Sequence, residues 1–538
     1  MTQRSRALSD WLLLAGFCAF FFFYGIGYFG LVGADEPRYA QVAREMLARH
    51  DWITPTLSGK PWLEKPPLYY WQAILAYKIF GVSDWAARLP AAVDAVLMVA
   101  AVYWFLRRFR PGFELDGALM TASAAGVIGF ARAASMDMPL AAAFAIALLA
   151  WYVWHESGSR SYLAASYAFL GLAALAKGPV GPFLAAVVVG LYALARRELS
   201  IVTRSLWLPG ILTFCAVTLP WYFAVQIRNP EFFRVFILEH NLARFGTNLY
   251  HHPQPFWFYL PVALLALLPW TTVAIAAVVD SVRDWLAQGG EMPRSPRAWD
   301  AFLLMWLLTP VVFFSFSRSK LPGYIEPALP AGTLLLVEYV RRRVAAGNRP
   351  NVVLVVLHSL ATVTLIVPAL MIQYILLLHR LPWGRPAMAS LTFAVILAAG
   401  IALSLQTGAG LRFLRFVTLI PVVLAVAAVL RIGAASLDAR LSARPLAFEV
   451  AKVENGALPA AVFQTSRETE YGLQFYRNQP IARYERDEVP PGEHILVAAP
   501  GLQKQIRDRL PGRRVSYLGT FEAQRLDYYW VAGRQSGP

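Results

Sequence analysis

The chain has 538 residues, 57% of them hydrophobic and only 15% charged, with a mean hydropathy of +0.48. That balance excludes an ordinary soluble globular enzyme and fits a polytopic α-helical membrane protein. The formal net charge of +16 is weak evidence for a nucleic-acid partner, because much of it comes from arginines in alternate loops between apolar stretches.

A hydrocarbon core about 30 Å thick takes roughly 20 apolar residues per helix. About thirteen stretches qualify, near 11–30, 84–106, 114–134, 139–155, 162–176, 180–195, 205–225, 257–280, 299–316, 324–340, 352–378, 386–405 and 412–430. Arg4 and Arg6 precede the first of them with no small-residue cleavage site, which predicts a retained anchor rather than a cleaved signal. Basic clusters at Arg107 and Arg108, Arg196 and Arg197, Arg341 to Arg343, and Arg412 with Arg415 mark every second loop. Loops rich in Arg stay in the cytoplasm, so the N-terminus is expected inside and the C-terminus outside. Cys18 and Cys215 fall in apolar stretches, where they act as small hydrophobes and offer no disulfide or zinc framework.

The first outer loop, 31–83, opens with Asp35-Glu36-Pro37-Arg38-Tyr39. Tyr39, Val42, Ala43, Met46 and Leu47 recur at helical spacing, with Arg38, Gln41, Arg44, Glu45 and Arg49 toward the other side, which predicts an amphipathic helix in the interface. One acid at its start would serve as a cap, with Pro37 close behind. A cap explains one carboxylate and leaves the other over, so Asp35 is read as functional and Glu36 as mixed. Further along, Glu64-Lys65-Pro66-Pro67 sets a cation between an acid and two prolines. Lys65 either holds a phosphate as a point charge or snorkels to the interface; the flanking prolines favour the first.

Asp137, in Met136-Asp137-Met138-Pro139, reads equally well as a helix cap or a site residue. Lys177, in a Lys-Gly-Pro turn, and Lys320, in Ser-Lys-Leu-Pro-Gly-Tyr, are further cations on the outer side. The second outer loop, 226–256, supplies Glu239, His240, Arg244, Tyr250, His251 and His252. Arg244 suits a bidentate grip on phosphate. His251 and His252, with Glu64 as the most available carboxylate, would hold a structural metal at most. No Asp-x-Asp pair stands in either loop, and no metal or other cofactor is expected to be required for catalysis.

After Arg431 the apolar stretches stop and charge returns at globular density. Runs at 461–464, 481–484, 494–498, 515–518 and 527–531 read as strands, alternating with helical stretches near 445–454, 468–477 and 502–510. The chain therefore divides into a membrane domain, 1–431, and a small soluble α/β domain, 432–538, expected on the periplasmic side.

The Asp35-Glu36-Pro37-Arg38-Tyr39 motif, with Arg44-Glu45-Met46-Leu47, Asp51-Trp52 and Glu64-Lys65-Pro66-Pro67, resembles the first outer loop of the protein-mannosyltransferase-like integral membrane glycosyltransferases, the GT-C class. Further matches are Ser135-Met136-Asp137-Met138-Pro139, Ala176-Lys177-Gly178-Pro179, Glu239-His240-Asn241-Leu242, and Ser319-Lys320-Leu321-Pro322-Gly323-Tyr324. They run through about the first 330 residues. Within that class the set is similar to the branch that moves 4-amino-4-deoxy-L-arabinose from an undecaprenyl-phosphate carrier to lipid A phosphates, a modification that protects bacteria from cationic peptides.

The resemblance implies a GT-C fold in the bacterial inner membrane, an active site facing the periplasm, inversion at the sugar carbon, and a monomer acting on a lipid-linked donor and lipid A. Asp35, Glu36 and Asp137 would be the catalytic acids. Lys65, Arg38, Arg244, Lys177, Lys320, Tyr324 and Glu64 would hold the carrier phosphate or substrate. An acceptor phosphate, already ionised near neutral pH, needs no general base, whereas a protein hydroxyl would. Two rivals stay open: a protein O-mannosyltransferase, and a lipid transporter. A transporter would show interrupted helices in two related halves, and the sequence has no such symmetry.

Overall fold

Each of the thirteen apolar stretches lies wholly or mostly on helix in the computed structural model, which describes residues 3–243, 254–287, 298–347, 349–378, 384–407, 410–454 and 456–534. Among the described residues, seven helices are long and apolar enough to cross a membrane, or eight if the bent pair Phe256–Ala266 and Thr271–Ala287 counts as one span. The expected stretch at 114–134 is not one helix but two short ones, Glu114–Ala122 and Ala125–Ala131. The pair at 256–287 bends by 117°. These two breaks meet: the Ala125 amide donates to the Leu268 carbonyl at 2.8 Å, and Trp270 Nε1 donates to Ser123 Oγ at 3.0 Å. Backbone groups freed by a break inside an apolar bundle need such partners, and each break supplies them to the other.

Five helices near the expected outer side matter for the site: α1 (Asp35–Ala48), α2 (Leu68–Phe80), α3 (Asp84–Phe109), α4 (Asp137–Ser157) and α5 (Arg160–Lys177). Helix α1 forms where the 3.6-residue periodicity predicts it, and Tyr39, Val42, Ala43 and Met46 are buried. Its other side is not left to water. Arg38 and Gln41 are buried as well, Arg44 and Glu45 are half-buried, and Arg49 is exposed, so the polar side expected of an interfacial helix is only partly open. What covers that face comes from the far end of the chain.

Residues 460–531 form one five-stranded sheet of β1 (Ala460–Phe463), β2 (Ile481–Arg483), β3 (His494–Ala498), β4 (Val515–Phe521) and β5 (Leu526–Val531), in the order β2-β1-β3-β5-β4. Strand β1 runs parallel to β2 and β3, while β5 is antiparallel to β3 and β4. The crossover from β1 to β2 is helix α6 (Arg467–Arg477), capped by Ser466 Oγ accepting from Thr469 N at 3.3 Å. Helix α6 lies against α1. Arg44 donates to the Phe475 carbonyl at 3.0 Å, and Gln474 to Ser58 Oγ at 2.7 Å. The Leu31 amide donates to the Tyr476 hydroxyl at 2.6 Å, and Arg444 reaches Asp84 at 2.7 Å and Asp438 at 2.8 Å.

Candidate active site

At the start of α1 the position before the helix is Ala34, which caps nothing with its side chain. Asp35 and Glu36 are the first two helical residues, where negative charge meets the positive end of the helix dipole. They then part company. The Asp35 carboxylate accepts from Arg38 one turn on and stays 49% exposed. Glu36 is buried and fully engaged: Oε2 accepts from Arg88 at 2.6 Å and from the Val32 amide at 2.9 Å, and Oε1 accepts from the Ala134 amide at 3.1 Å. Arg88, 0% exposed, also donates to the carbonyls of Ile26, Phe29 and Gly30, each at 2.8 Å. A carboxylate with both oxygens committed in this way holds backbone in place, whereas Asp35 keeps an exposed oxygen.

Arg38 is enclosed by rings. Its guanidinium lies 5.1 Å from the ring centres of Tyr39 and Trp62 and 5.5 Å from that of Tyr471, which belongs to α6. Burial alone would lower its pKa, yet Tyr39, Asp35 and Glu64 raise it by more, so the group is a fixed cation. Burial and the Asp35 charge hold the Tyr39 hydroxyl above its ordinary range. The result is a half-exposed carboxylate whose cation cannot leave.

Asp137 repeats the pattern on α4. The preceding Met136 makes no cap bond, and the Asp137 carboxylate accepts from Lys177, at the last turn of α5. The Lys177 ammonium lies 4.7 Å from the ring centre of Tyr324. Gly323 comes so close that a Cβ there would sit 2.6 Å from Asp137 Cγ. The cap reading is therefore set aside for both Asp35 and Asp137. The bond from Ala134 to Glu36 ties the loop leading into Asp137 to the start of α1, so both carboxylate–cation pairs hang from one junction.

Lys65 is half-buried between Glu64 and Pro66-Pro67, with Pro67 directly before α2. Glu64 Oε1 lies 3.5 Å from His240 Nε2, and Glu239 pairs with Arg234 at 3.1 Å. Lys320 departs from expectation: it is 6% exposed and donates to the carbonyls of Gln254, at 3.1 Å, and Ser317. Burial lowers its pKa from the ordinary lysine value. These contacts tie it to the loop before Tyr324. Arg244, Tyr250, His251 and His252 lie outside the described residues. Among the described residues no group of three His, Cys, Asp or Glu side chains could hold a metal ion.

Three participants escaped the sequence reading: Arg88, Trp62 and Tyr471. Arg88 had a signal, since an arginine inside an apolar stretch is costly unless it has a task. Tyr471 had none, because nothing local links residue 471 to residue 38.

A model of the dolichyl-phosphate-mannose-protein mannosyltransferase family matches residues 64–223, which include Lys65, Asp137 and Lys177. An undecaprenyl phosphate-α-4-amino-4-deoxy-L-arabinose arabinosyl transferase from Edwardsiella ictaluri is 31% identical over 57% of this chain and 55% of its own length. Its Pseudomonas aeruginosa counterpart is 33% identical over 63% and 61%; the chain thus spans less than two thirds of these two relatives. The Pseudomonas fluorescens arabinosyl transferase 2 is 30% identical over 406 residues, 74% of this chain and 67% of its own length. The crystal structure of ArnT from Cupriavidus metallidurans bound to undecaprenyl phosphate superposes over 98% of this chain and 99% of that one with a TM-score of 0.78 at 23% identity. The apo form gives 0.73. The shared architecture is the GT-C fold of a multi-pass membrane protein, and with it the chain belongs to the family of undecaprenyl phosphate-α-4-amino-4-deoxy-L-arabinose arabinosyl transferases.

Proposed function

We propose that the chain transfers 4-amino-4-deoxy-L-arabinose from undecaprenyl phosphate to lipid A phosphate groups at the periplasmic face of the inner membrane. One observation carries the reading: two carboxylate–cation pairs, Asp35 with Arg38 and Asp137 with Lys177, are held at one junction on a helical membrane scaffold. Breaking the bond between a sugar and a polyprenyl phosphate develops positive charge at the sugar carbon and negative charge on the departing phosphate. Fixed carboxylates stabilise the first and fixed cations the second.

In this reading Asp35 faces the reacting carbon. Its half-exposed oxygen leaves room for substrate, while Arg38 holds the carboxylate in place. Lys65, on the rigid Glu-Lys-Pro-Pro segment, meets the carrier phosphate as a point charge, with Arg244 from the second outer loop as a further contact. Asp137, Lys177 and Tyr324 bind the sugar, and Glu64 with His240 braces the segment that carries Lys65. A metal at Glu64, His251 and His252 would be structural. We assign about thirteen spans by counting the shorter helices with the long ones, place residues 432–538 as a soluble α/β unit in the periplasm, and treat the enzyme as a monomer.

The deciding experiment offers the purified protein a labelled undecaprenyl-phosphate aminoarabinose donor with lipid A and a Ser/Thr peptide side by side. Label on lipid A alone supports the proposal. Label on the peptide alone would make the chain a protein O-glycosyltransferase, and label on neither, with the donor moved across a vesicle wall, would make it a transporter.

A further inference from the structure

Glu326 is 2% exposed to solvent, and its Oε1 has no hydrogen-bond partner among the described residues. A buried carboxyl without a cation or donor is costly, and such groups usually persist because something else supplies the partner. Its position is fixed by the short 3-10 segment Pro322–Ala328, which leads into the helix Leu329–Ala345. The segment is pinned at both ends. Tyr259 donates to the Leu321 carbonyl at 3.1 Å, and Trp306 Nε1 donates to the Pro327 carbonyl at 2.8 Å.

In a 3-10 helix, side chains three residues apart eclipse. Gly323 is pressed against Asp137, so Glu326, three residues on, shares the side of the segment that faces Asp137. Two carboxyl groups thus converge on one place. Among the described residues Lys177 is a cation there, and it is already paired with Asp137 and laid over Tyr324. Among the described residues, Glu326 Oε1 has no donor of its own in this cluster.

We infer that Glu326 is a specificity-determining residue, whose carboxylate receives the ammonium group of an amino sugar on the lipid-linked donor. The inference rests on the function proposed above and names the feature of the sugar that the site selects. A neutral sugar would leave Glu326 Oε1 without a donor, whereas an ammonium placed between Glu326 and Asp137 supplies one. Asp137 keeps Lys177, and the sugar brings Glu326 a cation of its own.

The test uses two synthetic polyprenyl-phosphate donors, one carrying 4-amino-4-deoxy-arabinose and one carrying arabinose, with lipid A as acceptor. Steady-state kinetics are measured for the wild type and for Glu326→Gln. Losing one partner of a buried charge pair predicts a KM for the amino donor raised at least about 30-fold, while the arabinose donor keeps its wild-type KM and so reports a folded enzyme. Equal losses on both donors would assign Glu326 to structure and overturn the inference, as would no change on either. A wild type that uses arabinose but not the amino sugar would instead sink the proposed function, and this inference with it.

Discussion

Arg88 donates to Glu36 at 2.6 Å across 52 residues of sequence, with neither group meaningfully exposed. Three carbonyls of the 26–30 turn accept from the two Nη atoms of Arg88. The pair is thus the joint at which the end of the first apolar stretch, the start of α1 and the start of α3 are held together. Removing one partner of a buried ion pair strands the other, at a cost of about 3–5 kcal/mol. Arg88→Ala is therefore expected to lower the thermal midpoint of the detergent-purified protein sharply. Glu36→Gln keeps the shape and an acceptor, so it should lose stability while retaining measurable transfer. A Glu36→Gln protein that is fully stable yet inactive would return Glu36 to the chemistry.

Asp35→Asn should behave in the opposite way. The carboxylate is half exposed and its partner Arg38 is held by three rings, so stability should change by no more than about 1 kcal/mol. Turnover should fall by about a hundredfold or more, as when one preorganised electrostatic contact to a transition state is removed. Carrier binding, followed by protection from unfolding with undecaprenyl phosphate, should survive. Substantial transfer by the purified variant would remove Asp35 from the centre of the mechanism.

The helical character of the apolar stretches, the start of α1 and the strands of the terminal sheet were all legible, because each rests on local periodicity. Asp35, Asp137 and Lys177 could be singled out for the same kind of reason: charge beside Pro or Gly at the edge of an apolar run. What could not be read is how these groups share partners. Glu36 and Asp35 are neighbours in an identical local context, and only the distant Arg88 and Ala134 separate their roles. The helix at 68–80 went unforeseen because its Leu-Tyr-Tyr-Trp start reads as loop aromatics when Arg38 and Ala87, which it packs near, are not in view. Burial of Arg38 depends on Tyr471, more than four hundred residues away.

Gly323 allows a sharp geometric test. A Cβ at this position would lie 2.6 Å from Asp137 Cγ and 2.8 Å from Phe130 Cε1, and neither neighbour is the loose end of a flexible chain. Gly323→Ala must push Asp137 away from Lys177 or displace the pinned 3-10 segment. Transfer is expected to fall at least about tenfold, since small misplacements in an active site are costly, with binding of undecaprenyl phosphate unchanged. A fully active Gly323→Ala enzyme would show that the Asp137–Lys177 arrangement tolerates movement and does not position substrate.

The terminal sheet should respond to acid through His494. Its ring is completely buried, with Nδ1 2.9 Å from the Gly492 carbonyl and Nε2 2.5 Å from the Tyr484 hydroxyl. Burial holds its pKa below the ordinary 6.5. As pH falls below about 6.5 the unfolded chain takes up a proton before the folded one does, so stability is complete above that pH and declines as pH drops through the lowered folded value. Hydrogen exchange in β3 and β5, corrected for intrinsic rates, should speed up in this window. His494→Gln should remove the pH dependence. If the slope persists in the variant, another group carries it.

The acceptor leaves its own mark on the pH dependence of the rate. A lipid A phosphate monoester has a second pKa near 6, and its dianion attacks without help from a base. The acidic limb of the rate profile should then follow acceptor ionisation, near pH 6, and remain in place in Glu36→Gln and in the weakly active Asp35→Asn. A hydroxyl acceptor would tie the limb to an enzyme carboxylate, and replacing that carboxylate would shift or abolish it. Contacts with Lys65 and its neighbours can lower the acceptor pKa by favouring the dianion, so the comparison between variants is more telling than the absolute position. A limb that disappears in Asp35→Asn alone would identify Asp35 as a base and favour the protein-glycosylating alternative over lipid A.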